Sequence, residues 1–305
     1  MKKVDLAERQ KGITALVLLA VSYGFLALIP RYLNTSFPLF QQVYLRVFAG
    51  FVLSFILFRK SIDFNKLKKL PLKEWLLLAL RAFIYYLLGV VLFTQALLLT
   101  KIGNVAFIGA IPMTAVLGFI ILKERFTAKK FSLVFLSFLG VLSISIQNVS
   151  NTFVLGKGEI VALVSIFFVS LGFISRKWQS KALNDKEVAI FMLFFATIFI
   201  FIASLLKGEG LPLHNWHLGV FLALLLGGLL NVGVSFFMNY GFSRVDAVLA
   251  GNIIALDPVF ASFFAFLVFK ELPIPKEVVG GIVIIISAIT MDRLETKQRS
   301  QVLAD

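Results

Sequence analysis

The chain has 305 residues, of which 59% are hydrophobic and 15% are charged, and its formal net charge is +14. Its mean hydropathy is +0.95. A soluble domain of this length would carry more charge and show amphipathic stripes, so the composition excludes an ordinary soluble protein. The absence of cysteine excludes disulfides, thiolate catalysis and cysteine-ligated metals.

Ten apolar stretches are each about long enough to cross a bilayer as a helix. In chain order they cover residues 13–30, 37–58, 75–99, 102–122, 131–148, 159–175, 187–206, 216–241, 247–269 and 277–291. The first stretch is long for a signal-peptide core and no small-residue cleavage site follows it, so we expect it to be retained. The predicted fold class is an all-α polytopic membrane protein.

The basic residues are distributed unevenly over the loops between these stretches. With the amino terminus inside, 22 of the 30 lysines and arginines lie on the inner side and six on the outer side. The positive-inside rule then predicts a protein of the plasma (cytoplasmic) membrane with both termini in the cytoplasm. The basic surplus is explained by topology and by contact with lipid headgroups, and nucleic acid is not expected as a partner.

A repeated phrase divides the chain into two halves. An apolar stretch that contains Pro112 ends in Lys123-Glu124, and one that contains Pro258 ends in Lys270-Glu271, 147 positions later. Because each half holds five spans, the second half must be inverted in the membrane. We expect repeats at residues 1–150 and 151–292 and a cytoplasmic tail at 293–305. Such repeats are typical of alternating-access transporters, for which a monomer is sufficient and a dimer is compatible.

Several of these features together resemble a known family. They are Arg46, the run from Gln95 through Pro112 to Arg125, its copy from Ala247 through Asp257 and Pro258 to Glu271, and Gly140-Val141. The pattern is similar to the EamA-like family of the drug/metabolite transporter superfamily, and the likeness covers nearly the whole chain. It implies two inverted five-helix repeats around a central cavity lined by helices 1, 3, 4, 6, 8 and 9. It also implies export of amino acids or other small metabolites.

Three ionisable side chains lie within spans, where charge is expensive unless it faces a cavity or a partner. Arg46 either attracts a substrate carboxylate or braces neighbouring helices through its five donors. Arg81 is a substrate contact or reaches the basic inner surface. Asp257 is a candidate for coupling transport to protons or another cation, since a partly desolvated carboxylate can be neutralised. Its alternatives are an arginine partner or backbone freed by Pro258.

Polar and helix-breaking residues complete the candidate site. Besides Arg81, the candidates for the substrate cavity are Tyr23, Tyr85, Gln95, Asn231, Asn239 and Asn252. Each of these is alternatively structural glue between helices. Pro112 and Pro258 are expected to kink their helices, and we interpret them as hinges, with static kinks as the alternative. Glu124 and Glu271 predict mirrored gate contacts at helix ends, with exposed charge as the alternative.

The predicted function is secondary active transport, with export of amino acids or related small metabolites by alternating access as the leading interpretation. Drug or cation efflux and nucleotide-sugar exchange are alternatives within this class. A channel, a scaffold and an intramembrane enzyme are alternatives from other classes. Because no Walker loop, metalloprotease motif or nucleophile elbow occurs, we expect no enzyme activity, catalytic residue, metal or cofactor. The expected partners are a small-molecule solute, a proton or other coupling ion, and membrane lipid.

Overall fold

A computed structural model of the chain describes residues 6–26, 29–125, 127–145, 156–269 and 274–304, which form helices and no strand. Within these residues, eight helical segments are long and apolar enough to cross a membrane. The interrupted segment around Pro112 and the last helix, whose apolar part is shorter, bring the number of spans to ten. The prediction of an all-α polytopic membrane protein is confirmed.

The spans are numbered here in chain order. Span 1 comprises Leu6–Leu26 and Ile29–Leu33, span 2 Leu39–Phe58, span 3 Leu72–Ala82, Phe83–Val90 and Val91–Leu99, span 4 Ile102–Gly109 and Met113–Ile120, and span 5 Ala128–Ser145. Span 6 comprises Lys157–Ile174, span 7 Asp185–Leu206, span 8 Leu218–Arg244, span 9 Ala247–Ile254 and Asp257–Phe269, and span 10 Pro275–Ala304. The helix of span 10 thus continues through the residues that were expected to form a tail. The expected repeat boundary at residue 150 lies outside the described residues.

Helix starts follow from local sequence. Pro38 and Pro71 directly precede spans 2 and 3. Both prolines have extended backbone, so the helix begins at the residue after each of them. Span 7 begins after Asn184, whose side chain accepts hydrogen bonds from the backbone N–H groups of Lys186 and Glu187. The Glu187 carboxylate accepts in return from the backbone N–H of Asn184, which completes a capping box.

The two repeats interlock through matching pairs of spans. Span 1 packs against span 8, and its counterpart, span 6, packs against span 3. Span 5 packs against span 10, its own counterpart, through Gly140 and Gly280. A Cβ atom added at Gly280 would lie 2.6 Å from the Gly140 carbonyl oxygen, so only glycine allows this approach. The contact pattern is that of two inverted repeats.

The outward surfaces of the spans are apolar. Large hydrophobic side chains stay exposed along spans 2, 8 and 10, and they include Phe55, Ile56, Phe221, Leu222, Ile285 and Ile286. A protein in water does not leave apolar surface of this extent uncovered, whereas lipid tails cover it without cost. The chain is an integral membrane protein.

Both described ends of the chain meet at one end of the bundle. Arg9 of span 1 forms an ion pair of 2.6 Å with Asp292 of span 10, and Lys130 of span 5 pairs with Glu295 at 2.9 Å. We call this end, which also holds Arg176 and Arg244, the basic end. The other end is called the opposite end.

Candidate transport site and helix-end contacts

Spans 4 and 9 are interrupted near their middles. Span 4 stops at Gly109 and resumes at Met113, directly after Pro112. Span 9 stops at Ile254 and resumes at Asp257, so Pro258 lies in the first turn of a new helix. Proline is suited to the first turn of a helix, because the backbone N–H that it lacks would have no acceptor within the helix at that position. The expected kinks are therefore breaks that separate each span into two helices, and hinge motion at these breaks stays a prediction.

Asp257 opens the second helix of span 9 at the break. Its side chain is partly buried, and it makes no hydrogen bond or ion pair to any described residue. The helix that it opens packs against span 1. A carboxylate without a partner near the middle of a span is costly, so this position is a candidate for binding a solute or an ion.

Tyr23 and Tyr85 join spans 1 and 3 through a hydrogen bond between their hydroxyls. The ring of Phe173 from span 6 lies beside both, with centroid distances of 6.3 Å to Tyr23 and 5.7 Å to Tyr85. Tyr85 is fully buried and lies in Phe83–Val90, where span 3 is wound as a π-helix. π-helical segments are rare and often occur at functional sites. The sequence pattern did not predict this one.

Arg81 is fully buried, and its guanidinium reaches three polar side chains. It donates to Asn239 Oδ1 at 2.7 Å, to Ser175 Oγ at 3.1 Å and to Gln179 Oε1 at 3.2 Å. Two of the predicted cavity residues, Arg81 and Asn239, are thus brought together. Because its donors are occupied and it is sealed from solvent, Arg81 acts here as a link between spans 3, 6 and 8.

An ion-pair chain continues from this link to the surface. Arg176 donates to the Asn239 carbonyl at 3.2 Å and to Asp185 at 2.7 Å, and Arg244 binds the second Asp185 oxygen at 2.6 Å. Arg244 also donates to Glu8 at 2.9 Å. We call Glu8, Arg176, Asp185 and Arg244 the basic-end network. It ties spans 1, 7 and 8 together, and the sequence reasoning missed it because its members are far apart in the chain.

Arg46 lies between spans 2, 3 and 8. Its Nη2 donates to Thr94 Oγ1 and its Nε to the Gln42 carbonyl, both at 3.3 Å. Its aliphatic part packs on Gly227. No carboxylate of a described residue forms an ion pair with it. This geometry braces two spans, and a contact with substrate stays a prediction.

The remaining predicted amides differ in their surroundings. Asn231 donates to the Gly227 carbonyl of its own helix at 2.7 Å. Asn252 donates to Ser287 Oγ at 3.1 Å, while its buried Oδ1 has no partner among the described residues. Gln95 is partly buried and makes no side-chain hydrogen bond within the described part of the chain. Their contact with a solute is untested.

Glu124 reaches from the end of span 4 to the start of span 9. Its carboxylate accepts hydrogen bonds from the backbone N–H groups of Ala247 at 2.6 Å and Val248 at 3.0 Å. Burial raises the pKa of the Glu124 carboxyl above its ordinary value of 4.5, although these two donors partly offset the shift. The contact is a helix cap supplied by the other repeat. Glu271, its predicted mirror, lies outside the described residues.

Other glutamates hold helix ends at both ends of the bundle. At the basic end, Glu8 accepts from Arg244, and at the opposite end Glu159 accepts from Thr100 and from Asn104 Nδ2 at 2.7 Å. Glu209 accepts from the first backbone N–H groups of span 2, at 2.8 and 3.1 Å. Carboxylates of one span therefore fix the ends of neighbouring spans on each side of the bundle.

Comparisons with known proteins agree with this architecture. A sequence model described as the EamA-like transporter family matches residues 10–146 and again residues 156–291. The chain is 24% identical to the uncharacterized transporter sll1164 of Synechocystis sp., over 82% of this chain and 75% of that protein. It is 23% identical to an uncharacterized transporter of Methanothermobacter thermautotrophicus, over 89% of this chain and 82% of that protein. A solved crystal structure superposes with a TM-score of 0.76 at 15% identity, over 95% of this chain and 99% of the other, which shows the shared fold.

Proposed function

Because the chain belongs to the EamA-like transporter family, we propose that this transporter is a secondary carrier that exports amino acids or related small metabolites by alternating access. The observation that carries the proposal is the pair of breaks in spans 4 and 9, with the unpartnered Asp257 at one of them. Broken helices near the bilayer middle are where many secondary carriers bind solute. Spans 1, 3, 4, 6, 8 and 9 would line the cavity between the two repeats.

The contacts at the basic end support a closed state on that side. The Glu124 cap and the bond from Arg244 to Glu8 connect spans of both repeats, so an opening toward this side requires their separation. We infer that the basic end faces the cytoplasm, since 22 of the 30 lysines and arginines fall on that side. The protein would then lie in the cytoplasmic membrane with both termini inside.

Asp257 is the proposed coupling group. A proton that binds to this carboxylate removes a charge from the middle of the membrane, and its release restores the charge. Transport of solute in one direction and of a proton in the other would follow if both compete for, or alternate at, this site. The proposal assigns the breaks at Pro112 and Pro258 as the places where the half-helices change their relative angle.

Counterflow in proteoliposomes tests this function. Vesicles loaded with unlabelled amino acids and metabolites are mixed with the corresponding labelled compounds, with and without a pH gradient. Saturable exchange is expected, and its pH dependence should be lost in Asp257→Asn. Flux that rises linearly with concentration and shows no counterflow would indicate a channel, whereas formation of a new product would indicate an enzyme.

A further inference from the structure

We propose that the connection between spans 2 and 3 is a membrane-surface anchor that binds the headgroups of anionic phospholipids. This surface comprises residues 59–73, from the end of span 2 into the first turn of span 3, and we call it the basic loop. The proposal concerns one local surface and its lipid partner, and it does not depend on which solute the protein carries.

The first argument is the concentration of positive charge. Residues 59–73 contain six basic residues and one acidic residue. Five of the six basic side chains are exposed, and they are Arg59, Lys60, Lys68, Lys69 and Lys73. None of these five forms an ion pair with a carboxylate of the described residues. Clusters of this size directly beside a membrane-spanning helix attract anionic lipid.

The second argument is the apolar side chains that lie between these charges. Phe64 opens a short helix of the loop and is 59% exposed, and Leu72 at the start of span 3 is 71% exposed. Trp75, also in the first turn of span 3, is a residue type that concentrates at the depth of lipid headgroups. Lysines interleaved with exposed apolar residues are typical of segments that lie in the membrane interface. This composition favours lipid over nucleic acid or an acidic protein.

The third argument is that span 7 holds the loop in one shape. The buried carboxylate of Glu187 accepts hydrogen bonds from the backbone N–H of Asp63 and from Lys66 Nζ. The side chain of Asn184 donates to the Ser61 carbonyl at 3.0 Å. Because the backbone is already fixed, the exposed basic side chains are presented together and little ordering is needed when a lipid binds.

Fluorescence quenching measures how far an anionic lipid is enriched at the loop. The chain has no cysteine, so Asn65→Cys gives one exposed attachment site for an NBD fluorophore in the short helix. The labelled full-length protein is placed in phosphatidylcholine bilayers that contain a small fraction of either phosphatidylglycerol or phosphatidylcholine with a nitroxide on the same acyl carbon. We expect quenching that corresponds to about fivefold enrichment of phosphatidylglycerol at low salt. The enrichment should disappear in 1 M salt, where the Debye length is about 3 Å.

Matched charge variants test whether the loop or the whole basic end attracts the lipid. Lys68→Gln/Lys69→Gln removes two charges from the basic loop and should lower the enrichment at least twofold. Lys129→Gln/Lys297→Gln removes two exposed charges from spans 5 and 10, which pack on each other, and should leave the enrichment unchanged. Size-exclusion profiles and thermal unfolding in detergent establish that each variant is folded.

Each result of these measurements decides the proposal. A loss confined to the loop variant supports a lipid site on the basic loop. Equal quenching by the two nitroxide lipids in the wild type at low salt overturns it. An equal loss in both double variants assigns the attraction to the whole basic end and also overturns the local site. Displacement of phosphatidylglycerol by micromolar polyglutamate or RNA would assign the loop to a soluble acidic partner instead.

Discussion

Glu124, at the end of span 4, accepts a 2.6 Å hydrogen bond from the backbone N–H of Ala247, the first residue of span 9. The bond joins the two repeats at the basic end, and the residue normally expected to cap this helix, Asp246, makes no side-chain cap bond. The start of span 9 therefore depends on a side chain from the other half of the protein. This dependence has measurable consequences.

Glu124→Ala should loosen the basic end. Alanine removes both oxygens that accept from the first N–H groups of span 9, so the cap should weaken by about 1 kcal/mol, roughly fivefold in the open population. The chain has no cysteine, so Met113→Cys, at the break of span 4, gives a single labelling site. Labelling by an impermeant maleimide from the basic side should accelerate. Glu277→Ala, which removes a cap within one exposed helix start, is the matched control and should change nothing.

The same contact should respond to pH. Because burial raises the pKa of Glu124 above 4.5, the capped state binds a proton more tightly than an open state with Glu124 in water. The capped state is thus most favoured below pH 4.5 and loses this advantage as pH rises through the raised pKa. The charged groups that act on the Glu124 carboxyl are Asp246, Lys177 and Glu295, and of these Lys177 opposes the rise in its pKa.

We divide the labelling rate of Met113→Cys by that of the double variant Met113→Cys/Glu124→Gln, which has no titrating group at position 124. The pH dependence of the maleimide reaction itself cancels in this ratio. We expect this ratio to rise as the pH increases from 4.5 through the raised pKa of Glu124. A ratio that stays flat from pH 4 to 8 would contradict a titrating cap.

Arg81→Lys should destabilise the protein although it keeps the charge. A lysine ammonium cannot reproduce the planar fork that reaches Ser175, Gln179 and Asn239, so buried acceptors lose their partners at about 1–3 kcal/mol. The thermal unfolding temperature in detergent should fall by several degrees. The control Arg293→Lys, at an exposed position, should leave this temperature unchanged. Unaltered unfolding with a large loss of solute affinity would instead make Arg81 a substrate contact.

Gly172→Ala should disturb the aromatic group. A Cβ atom at Gly172 would lie 2.6 Å from Cβ and Cδ2 of Tyr85, so the tyrosine or span 6 must move, at a cost of about 1–3 kcal/mol. Gly281→Ala, in span 10, is the matched control, since a Cβ atom there would meet only the Val259 methyl groups at an ordinary 3.7 Å. Solute affinity and unfolding temperature should both fall for Gly172→Ala alone. Equal behaviour of the two variants would show that Tyr85 is not held by this contact.

Periodicity and charge were enough to predict the ten spans and the inverted repeat, because bilayer thickness and lipid exposure act on every residue of a span. The Lys-Glu ends left two interpretations of Glu124 open, a gate contact at the helix end and an exposed charge. The break in span 9 was predicted only as a kink, because a proline pattern does not distinguish a bent helix from two short ones.

Other parts of the site depend on three-dimensional arrangement. Arg244 meets Glu8 across 236 positions and Asp185 across 59, and no local pattern indicates either pairing. The π-helical turn around Tyr85 lies where span 3 packs on Gly172, a contact that a hydrophobic run does not encode. Arg81 was a candidate from its depth, but whether its donors were free depended on Asn239 of span 8 and on two residues that follow span 6, Ser175 and Gln179.

The exchange of caps between the repeats has a consequence for biosynthesis. Glu8 and Glu124 are translated early, and their partners Arg244 and Ala247 are translated late, so the first half leaves the ribosome before these two carboxylates have partners. Assembly of the basic end must therefore wait until span 9 has entered the membrane. Two half-length chains made in the same cell should find each other, and either half alone should be short-lived.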